Sequence, residues 1–351
     1  MAVLVKAFFP IAVRKVSFIS IVNQEKKIVF ESEVITDPCT IFSAIKGTKL
    51  DIENCAIESG AISHWLVKEL LKRKIPVVCV DSRKMAKILS ININKTDKND
   101  ARLIAEALRC GFYSEVHQKN QEDAEMQILM GTRRTLIEVS TKLKNTIRGH
   151  LKIFGIRLGT ASNKKFDNLV RSALQNKPEV VQLGLKSLLE TFKCTNNEIE
   201  FLEKKIEEMA REDEDVKLLT TIPGVGVITA FTFKTCLGDP SRFKRSRSVG
   251  AYFGMTPTQY SSGDIVKQGK VSKCGNSEVR SLLNEAAFSI IYSTKSWNRI
   301  KAWGLKIKKK KGHKKAMMAV GRKLSVLMYR MLISRKQFEY GVPKDNSQKT
   351  A

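Results

Sequence analysis

Asp97 and Asp100, in the stretch Lys95-Thr96-Asp97-Lys98-Asn99-Asp100-Ala101, have the residue type and spacing for chemistry. An apolar stripe of Leu103, Ile104, Ala107 and Leu108, ending at Gly111, predicts a helix capped by Thr96. Both carboxylates then leave the same face of its first turn. Carboxylates that close repel each other unless a cation or base lies between them, and hard divalent cations take oxygen ligands. Glu58 follows the apolar run 55–57, where a strand would carry it to the carboxyl edge of a sheet, the usual place for an α/β site. The same residues also suit a plainer role, in which the aspartates complement the helix dipole and Glu58 is a surface strand end.

Tyr260-Ser261-Ser262-Gly263 offers a second chemistry. Phosphoryl transfer to a hydroxyl needs that hydroxyl exposed on a loop, with cations to neutralise charge growing on the phosphorus oxygens. Arg242, Lys244, Arg245 and Arg247 precede this segment, and Lys267, Lys270, Lys273, Asn276 and Arg280 follow it. Upstream, Ile222-Pro223-Gly224-Val225-Gly226-Val227 places two glycines between apolar segments. Such a turn between helices exposes amide groups that cradle phosphates, which makes Gly224 and Gly226 candidates for non-specific DNA contact. A simple packing turn has the same composition, as Ser-Ser-Gly has that of a surface turn.

These residues need elements to hold them. Residues 11–21 alternate as a strand, 27–30 read as its hairpin partner, and 55–57 and 77–80 are short apolar runs typical of buried strands. Between the last two, residues 61–74 predict a helix with Ile62, Trp65, Leu66 and Leu70 on one stripe. The pattern implies an α/β layer with a mixed sheet. Residues 122–156 and 178–212 show heptad-like spacing, with Leu129, Leu136 and Leu143 in one and Phe192, Ile199, Leu202, Ile206 and Met209 in the other. They read as long helices of a coiled-coil arm or of an ordinary bundle, with 157–177 as a polar turn or loosely ordered tip. Residues 277–294 and 314–334 are expected helices, and 306–315, with seven lysines, reads as a solvated loop or phosphate-binding patch. The implied division is an α/β domain over 1–118, a helical arm over 119–215, a mostly α domain over 216–340 and a disordered tail over 341–351.

Composition narrows the partners. The 351 residues carry a net charge of +27, and residues 241–351 hold 25 Lys or Arg against 5 Asp or Glu. A basic end of this kind faces something acidic, and nucleic acid is favoured. No run of about 20 apolar residues exists to span a membrane, and the start lacks a secretory pattern. Seven scattered cysteines without a C-x-x-C pair point to a reducing cytoplasm and away from zinc. Cys55 and Cys79, inside apolar runs, are expected to be buried and inert.

The order of these parts resembles the insertion sequence 110 family of transposases over nearly the entire chain. Four stretches carry the resemblance: Ala56-Ile57-Glu58-Ser59-Gly60, the segment from Lys95 to Ala101, Ile222-Pro223-Gly224-Val225-Gly226, and Gly254-Met255-Thr256-Pro257 through Ser262 to Ser272-Lys273-Cys274-Gly275-Asn276. The resemblance implies a RuvC-like (ribonuclease H-like) domain whose DEDD carboxylates bind Mg²⁺ or Mn²⁺, with Glu58, Asp97 and Asp100 at three of the four acidic positions. It implies Ser262 as a nucleophile that cleaves DNA, leaving a phosphoserine link, before strand exchange. It further implies a helix-hairpin-helix-like turn, a guiding bridge RNA, a homo-oligomer (dimer or tetramer) in which one subunit's serine domain completes another's acidic site, and action in the bacterial cytoplasm on the nucleoid. With RNA as guide, base pairing holds the sequence information and side chains grip backbones.

One position departs from the family pattern. Pro10, in Phe8-Phe9-Pro10-Ile11-Ala12, stands where the family has its first aspartate. Proline supplies neither a metal ligand nor a strand N–H, so this copy is expected to keep the fold and to be impaired or inactive. Two rival readings are a RuvC-type nuclease or resolvase using metal-activated water, and a non-catalytic nucleic-acid-binding protein.

Overall fold

The computed structural model describes residues 2–7, 16–262 and 265–340; Pro10, Gly263 and the expected tail 341–351 lie outside them. The chain divides into two compact units, Met1–Lys119 and Asn120–Ala351.

The first unit runs β1 (Ala2–Ala7), β2 (Val16–Val22), β3 (Ile28–Ile35), α1 (Pro38–Gly47), β4 (Asn54–Glu58), α2 (Ser63–Lys72), β5 (Val77–Val80), α3 (Ser82–Leu89) and α4 (Asp97–Arg109). Its sheet is mixed, in the order β3-β2-β1-β4-β5, with β1 parallel to β4, β4 parallel to β5, and β1-β2-β3 an antiparallel meander. The mixed sheet agrees with the strand pattern; β1, α1 and α3 are additions to the expected elements. Alternation along the pleat divides the side chains between two faces. Ile19, Ile21, Cys55, Ile57, Val77 and Cys79 pack against α1 and α2, while Val22, Ala56 and Val80 pack against α3 and α4. Cys55 and Cys79 are buried, as expected. In α2 the buried residues are Ser63, Leu66, Val67 and Leu70, and Trp65 stands 46% exposed, off the stripe expected to hold it. The helix turns its small and aliphatic residues to the sheet, and the indole is left at the margin.

The second unit begins with α5 (Gln121–Lys152), α6 (Asn163–Leu174) and α7 (Glu179–Ala210). The two long helices pack along each other, and Phe192, Ile199 and Ile206 form a buried stripe seven residues apart, although Met209 is exposed. The region 157–177 is not a loose tip. Ser162 caps α6, and Phe166, Val170 and Leu174, one turn apart, enter a core with Ile147, Leu151, Leu185, Leu189 and Phe192.

There follow α8 (Glu214–Thr220), α9 (Val227–Leu237), α10 (Arg247–Tyr252), the antiparallel pair β6 (Pro257–Ser262) and β7 (Ile265–Val271), α11 (Ser277–Phe288), α12 (Arg299–Lys311) and α13 (His313–Ser334). Their shared core is built on Phe233, Val249, Phe253, Leu283, Ile290, Val320 and Leu324. The lysine-rich segment 306–315 is helical rather than a loop. It spans the end of α12 and the start of α13, broken only at Gly312, whose φ of 82° lies in the left-handed region. Ile300 and Gly304 anchor α12 to the core, while Lys306, Lys309, Lys310 and Lys311 are exposed. Among the described residues, no helix is long and apolar enough to cross a membrane.

Candidate active site

Thr96 caps α4, accepting a hydrogen bond from the Asn99 amide at 3.1 Å. Behind that cap, Asp97 is half-buried and Asp100 is buried at 1% exposure, on the stripe that continues through Ala101, Ile104 and Leu108. The direction of α4 follows from its two ends. Near its start, Arg102 grips Glu31 with two hydrogen bonds of 2.6 and 2.8 Å, and Lys98 approaches the same carboxylate at 3.3 Å. At its end, Arg109 reaches the Gln24 carbonyl in the β2–β3 turn. That turn lies at the amino end of the parallel strands, where Val22 pairs with Ala2 and Ala2 with Asn54. The first turn of α4 therefore points to the carboxyl edge of β1 and β4. The Arg102 hydrogen bonds, with Lys98, hold Glu31 below the usual carboxylate range.

Glu58 ends β4 at that same edge. Ala56 shares a core with Ala101 of α4, and Glu58, two residues farther along the strand, projects to the same sheet face. Glu58, Asp97 and Asp100 thus share one face and one edge. Their oxygens are the donor type that a hard divalent cation takes. Among the described residues, no group of three His, Cys, Asp or Glu side chains stands close enough together to hold a metal ion.

Ser262 lies in the second unit, exposed at the end of β6, where it pairs with Ile265 of β7. Lys267 is opposite Tyr260, and by alternation Tyr260, Ser262 and Lys267 project to one face of the hairpin. Residues 259–262 and 267–270 are all exposed, so the hairpin stands away from the core. Lys270 and Lys273 are exposed nearer its base, and Lys273 adopts a left-handed φ of 54°.

Asn276 and Arg280 do architectural work. The Asn276 side chain caps α11 by accepting from the Glu278 and Val279 amides, while its amide group donates to the Cys236 sulfur. The Arg280 guanidinium donates to the carbonyls of Gly275 (2.6 Å), Asn276 (3.1 Å) and Phe253 (3.2 Å), tying the base of the hairpin together. Gly224, with φ of 83°, lies against the end of α11: a Cβ there would be 3.1 Å from the Ala286 carbonyl oxygen and the Ile290 side chain. Gly226, at the start of α9, is exposed with open space around it. The two glycines therefore differ, one packed into the fold and one open to a ligand. Arg242 is likewise held within the protein, its guanidinium 4.2 Å from the Phe243 ring centre and 4.5 Å from that of Tyr252.

The base of the hairpin was not apparent from residue types. Gly254 and Gly275 bring two backbones together there, and the only sequence signal is a glycine at each end of the Ser262 segment.

Comparison with known proteins gives a consistent result. Residues 216–302 match a family described as "Transposase IS116/IS110/IS902 family", and residues 14–156 match the DEDD transposase domain of IS110 elements. The transposase for insertion sequence element IS1111A of Coxiella burnetii is 27% identical over 287 residues, covering 80% of this chain and 78% of that protein. The transposase for insertion sequence element IS1328 of Yersinia enterocolitica is 30% identical over 234 residues, covering 66% and 69%. A pilin gene-inverting protein of Moraxella bovis is 31% identical over 127 residues, covering 35% and 38%.

Proposed function

The chain belongs to the IS116/IS110/IS902 family of insertion-sequence transposases, and from that premise we propose that it cuts and rejoins DNA with Ser262 as nucleophile. The supporting observation is the setting of this hydroxyl, exposed at the end of a projecting hairpin with Lys267 on the same face. The Ser262 oxygen attacks the phosphorus of a DNA phosphodiester, and the bond to the leaving sugar oxygen breaks. The serine proton ends on that sugar, giving a free hydroxyl and a phosphoserine diester. Attack by a second strand's hydroxyl reverses the step and releases the serine. Lys267, on the face of Ser262, offsets charge on the phosphate oxygens, and Lys270, Lys273 and Gly226 add grip on the backbone, with Gly224, Asn276 and Arg280 holding those elements in place.

Glu58, Asp97 and Asp100, in a RuvC-like domain, would hold Mg²⁺ or Mn²⁺. Their shared face and oxygen donors support this. An ion held there would supply Lewis-acid polarisation of the scissile phosphate. Pro10 replaces a fourth carboxylate, so this copy works poorly or not at all. The helices α5 and α7 serve as a coiled-coil arm of a domain over residues 119–215, joining copies into a dimer or tetramer in which a serine domain meets a partner's carboxylates. A bridge RNA selects the DNA by base pairing, in the cytoplasm and on the nucleoid.

The test expresses the chain with the DNA flanking its gene and looks for a covalent protein–DNA adduct. The native chain, Ser262→Ala and Pro10→Asp are compared. An adduct that disappears with Ser262→Ala is expected, strengthened by Pro10→Asp. An adduct that survives Ser262→Ala excludes Ser262 as nucleophile. Cleavage without any adduct points instead to a nuclease using water.

A further inference from the structure

At its end α11 widens into a π-helical turn, Ser289–Ser293, closed by the Thr294 amide donating to the Ser289 carbonyl at 2.9 Å. Such turns are rare and frequent at functional sites. Ile290 and Ile291 point into the core from this turn, while Phe288 and Tyr292 are turned outward and keep 50% and 42% of their surface in solvent. Their rings lie with centres 4.7 Å apart and planes tilted by 37°. His313, at the start of α13, hydrogen-bonds the Tyr292 hydroxyl at 2.8 Å and packs against both rings, and the Lys308 ammonium stands 4.5 Å from the Tyr292 ring centre. Three elements thus hold an exposed pair of rings in one fixed arrangement.

The surroundings indicate what such a surface would bind. Residues 288–315 contain ten Lys or Arg and no Asp or Glu. Aromatic faces among cations recognise nucleic acid strands with unpaired bases, because rings stack on bases while ammonium groups meet phosphates. In a duplex, base faces are covered by their neighbours, which leaves only the phosphates to be gripped. We propose that Phe288, Tyr292 and His313 form a stacking platform for unpaired bases of single-stranded DNA. The choice of DNA rests on the strand-cutting reading above. Helix α11 starts at the base of the Ser262 hairpin and, at 1.5 Å per residue, carries the platform about 18 Å away from it. A strand freed at the hairpin finds the platform at the other end of the same helix.

The experiment measures binding of the full chain to four fluorescent probes of about 20 units, longer than one stacking site needs. These are oligo-dT, its abasic counterpart, oligo-rU and a DNA duplex. In the variant Phe288→Leu/Tyr292→Leu, oligo-dT affinity is expected to fall roughly 5- to 150-fold, with abasic and duplex affinities unchanged. Lys308→Gln is expected to weaken all four probes. Thermal melting of the double variant at the native temperature shows that its fold is intact. Unchanged oligo-dT binding, or an equal loss on the abasic strand, overturns the platform. A loss confined to oligo-rU assigns the surface to RNA and overturns the DNA choice. Failure of the native chain to bind any probe overturns the platform and counts against the strand-cutting reading as well, a different outcome from failure of the platform alone.

Discussion

Gly254 and Gly275 face each other where the two ends of the β6–β7 hairpin cross, and neither has room for a side chain. A Cβ on Gly254 would lie 2.5 Å from the Cys274 amide nitrogen, and one on Gly275 would lie 2.3 Å from the Tyr252 carbonyl oxygen. The Lys273 amide donates to the Gly254 carbonyl at 3.0 Å, and that of Ser272 to Thr256 at 2.9 Å. With Arg280 bound to three carbonyls beside them, the base of the hairpin is held while Ser261 and Ser262 are exposed.

Gly254→Ala and Gly275→Ala are therefore expected to lower stability by about 2–3 kcal/mol or more in urea unfolding, since backbone must move to admit either methyl. Gly254→Ala adds left-handed strain, as its φ is 66°. Gly226→Ala, with open space at the Cβ position, should change stability by no more than about 0.5 kcal/mol. Equal effects at Gly226 and Gly254 would contradict the crossing.

Divalent ions give a reading of the acidic edge that does not depend on activity. A ligand that binds only the folded state adds about 2.7 kcal/mol at roughly 100 times its Kd. Mg²⁺ or Mn²⁺ should raise the melting temperature of the native chain. Glu58→Gln and Asp100→Asn should remove that rise, and Pro10→Asp should enlarge it. A melting temperature that ignores both ions would refute the metal site.

The Glu31–Arg102 pair makes a pH-dependent contribution. Because its hydrogen bonds to Arg102 lower the Glu31 pKa, the unfolded chain binds more protons than the folded one in the acid range. Stability from this pair is complete above the unfolded pKa and is lost as pH falls through the folded one. Glu31→Gln should cost about 1 kcal/mol at neutral pH, and the difference from the native chain should shrink toward pH 3. A constant difference across that range would show that the pair is not the cause.

Thiol labelling tests the burial pattern. Cys39, Cys110, Cys194 and Cys274 are exposed, whereas Cys55, Cys79 and Cys236 are buried. Desolvation pushes the Cys79 thiol above its usual pKa, which slows its reaction further. Under native conditions four thiols should react with a maleimide and three should react only on unfolding. Early labelling of Cys79 would be inconsistent with its place in the sheet.

Local patterns announce the parts that local energetics decide. Thr96 as a cap, the run ending at Glu58 and the heptad positions Phe192, Ile199 and Ile206 are readable because caps, pleat alternation and helical periodicity act within a few residues. The helix α6 is hidden because Phe166, Val170 and Leu174 are diluted by polar neighbours, and only the core they meet makes them decisive. Trp65 leaves its expected stripe for the same reason, since several residues satisfy the period and packing chooses among them.

The sequence by itself determined the family, the strand–helix order of the acidic region and the concentration of positive charge toward the carboxyl end, all of which follow from residue order. Only the tertiary structure decided that Glu58 and Asp100 share a sheet face, and that Asn276 and Arg280 hold backbone. It also decided that Phe288, Tyr292 and His313 meet in solvent. Each of those depends on segments distant in the chain being brought together by burial of apolar surface, a force without direction along the sequence.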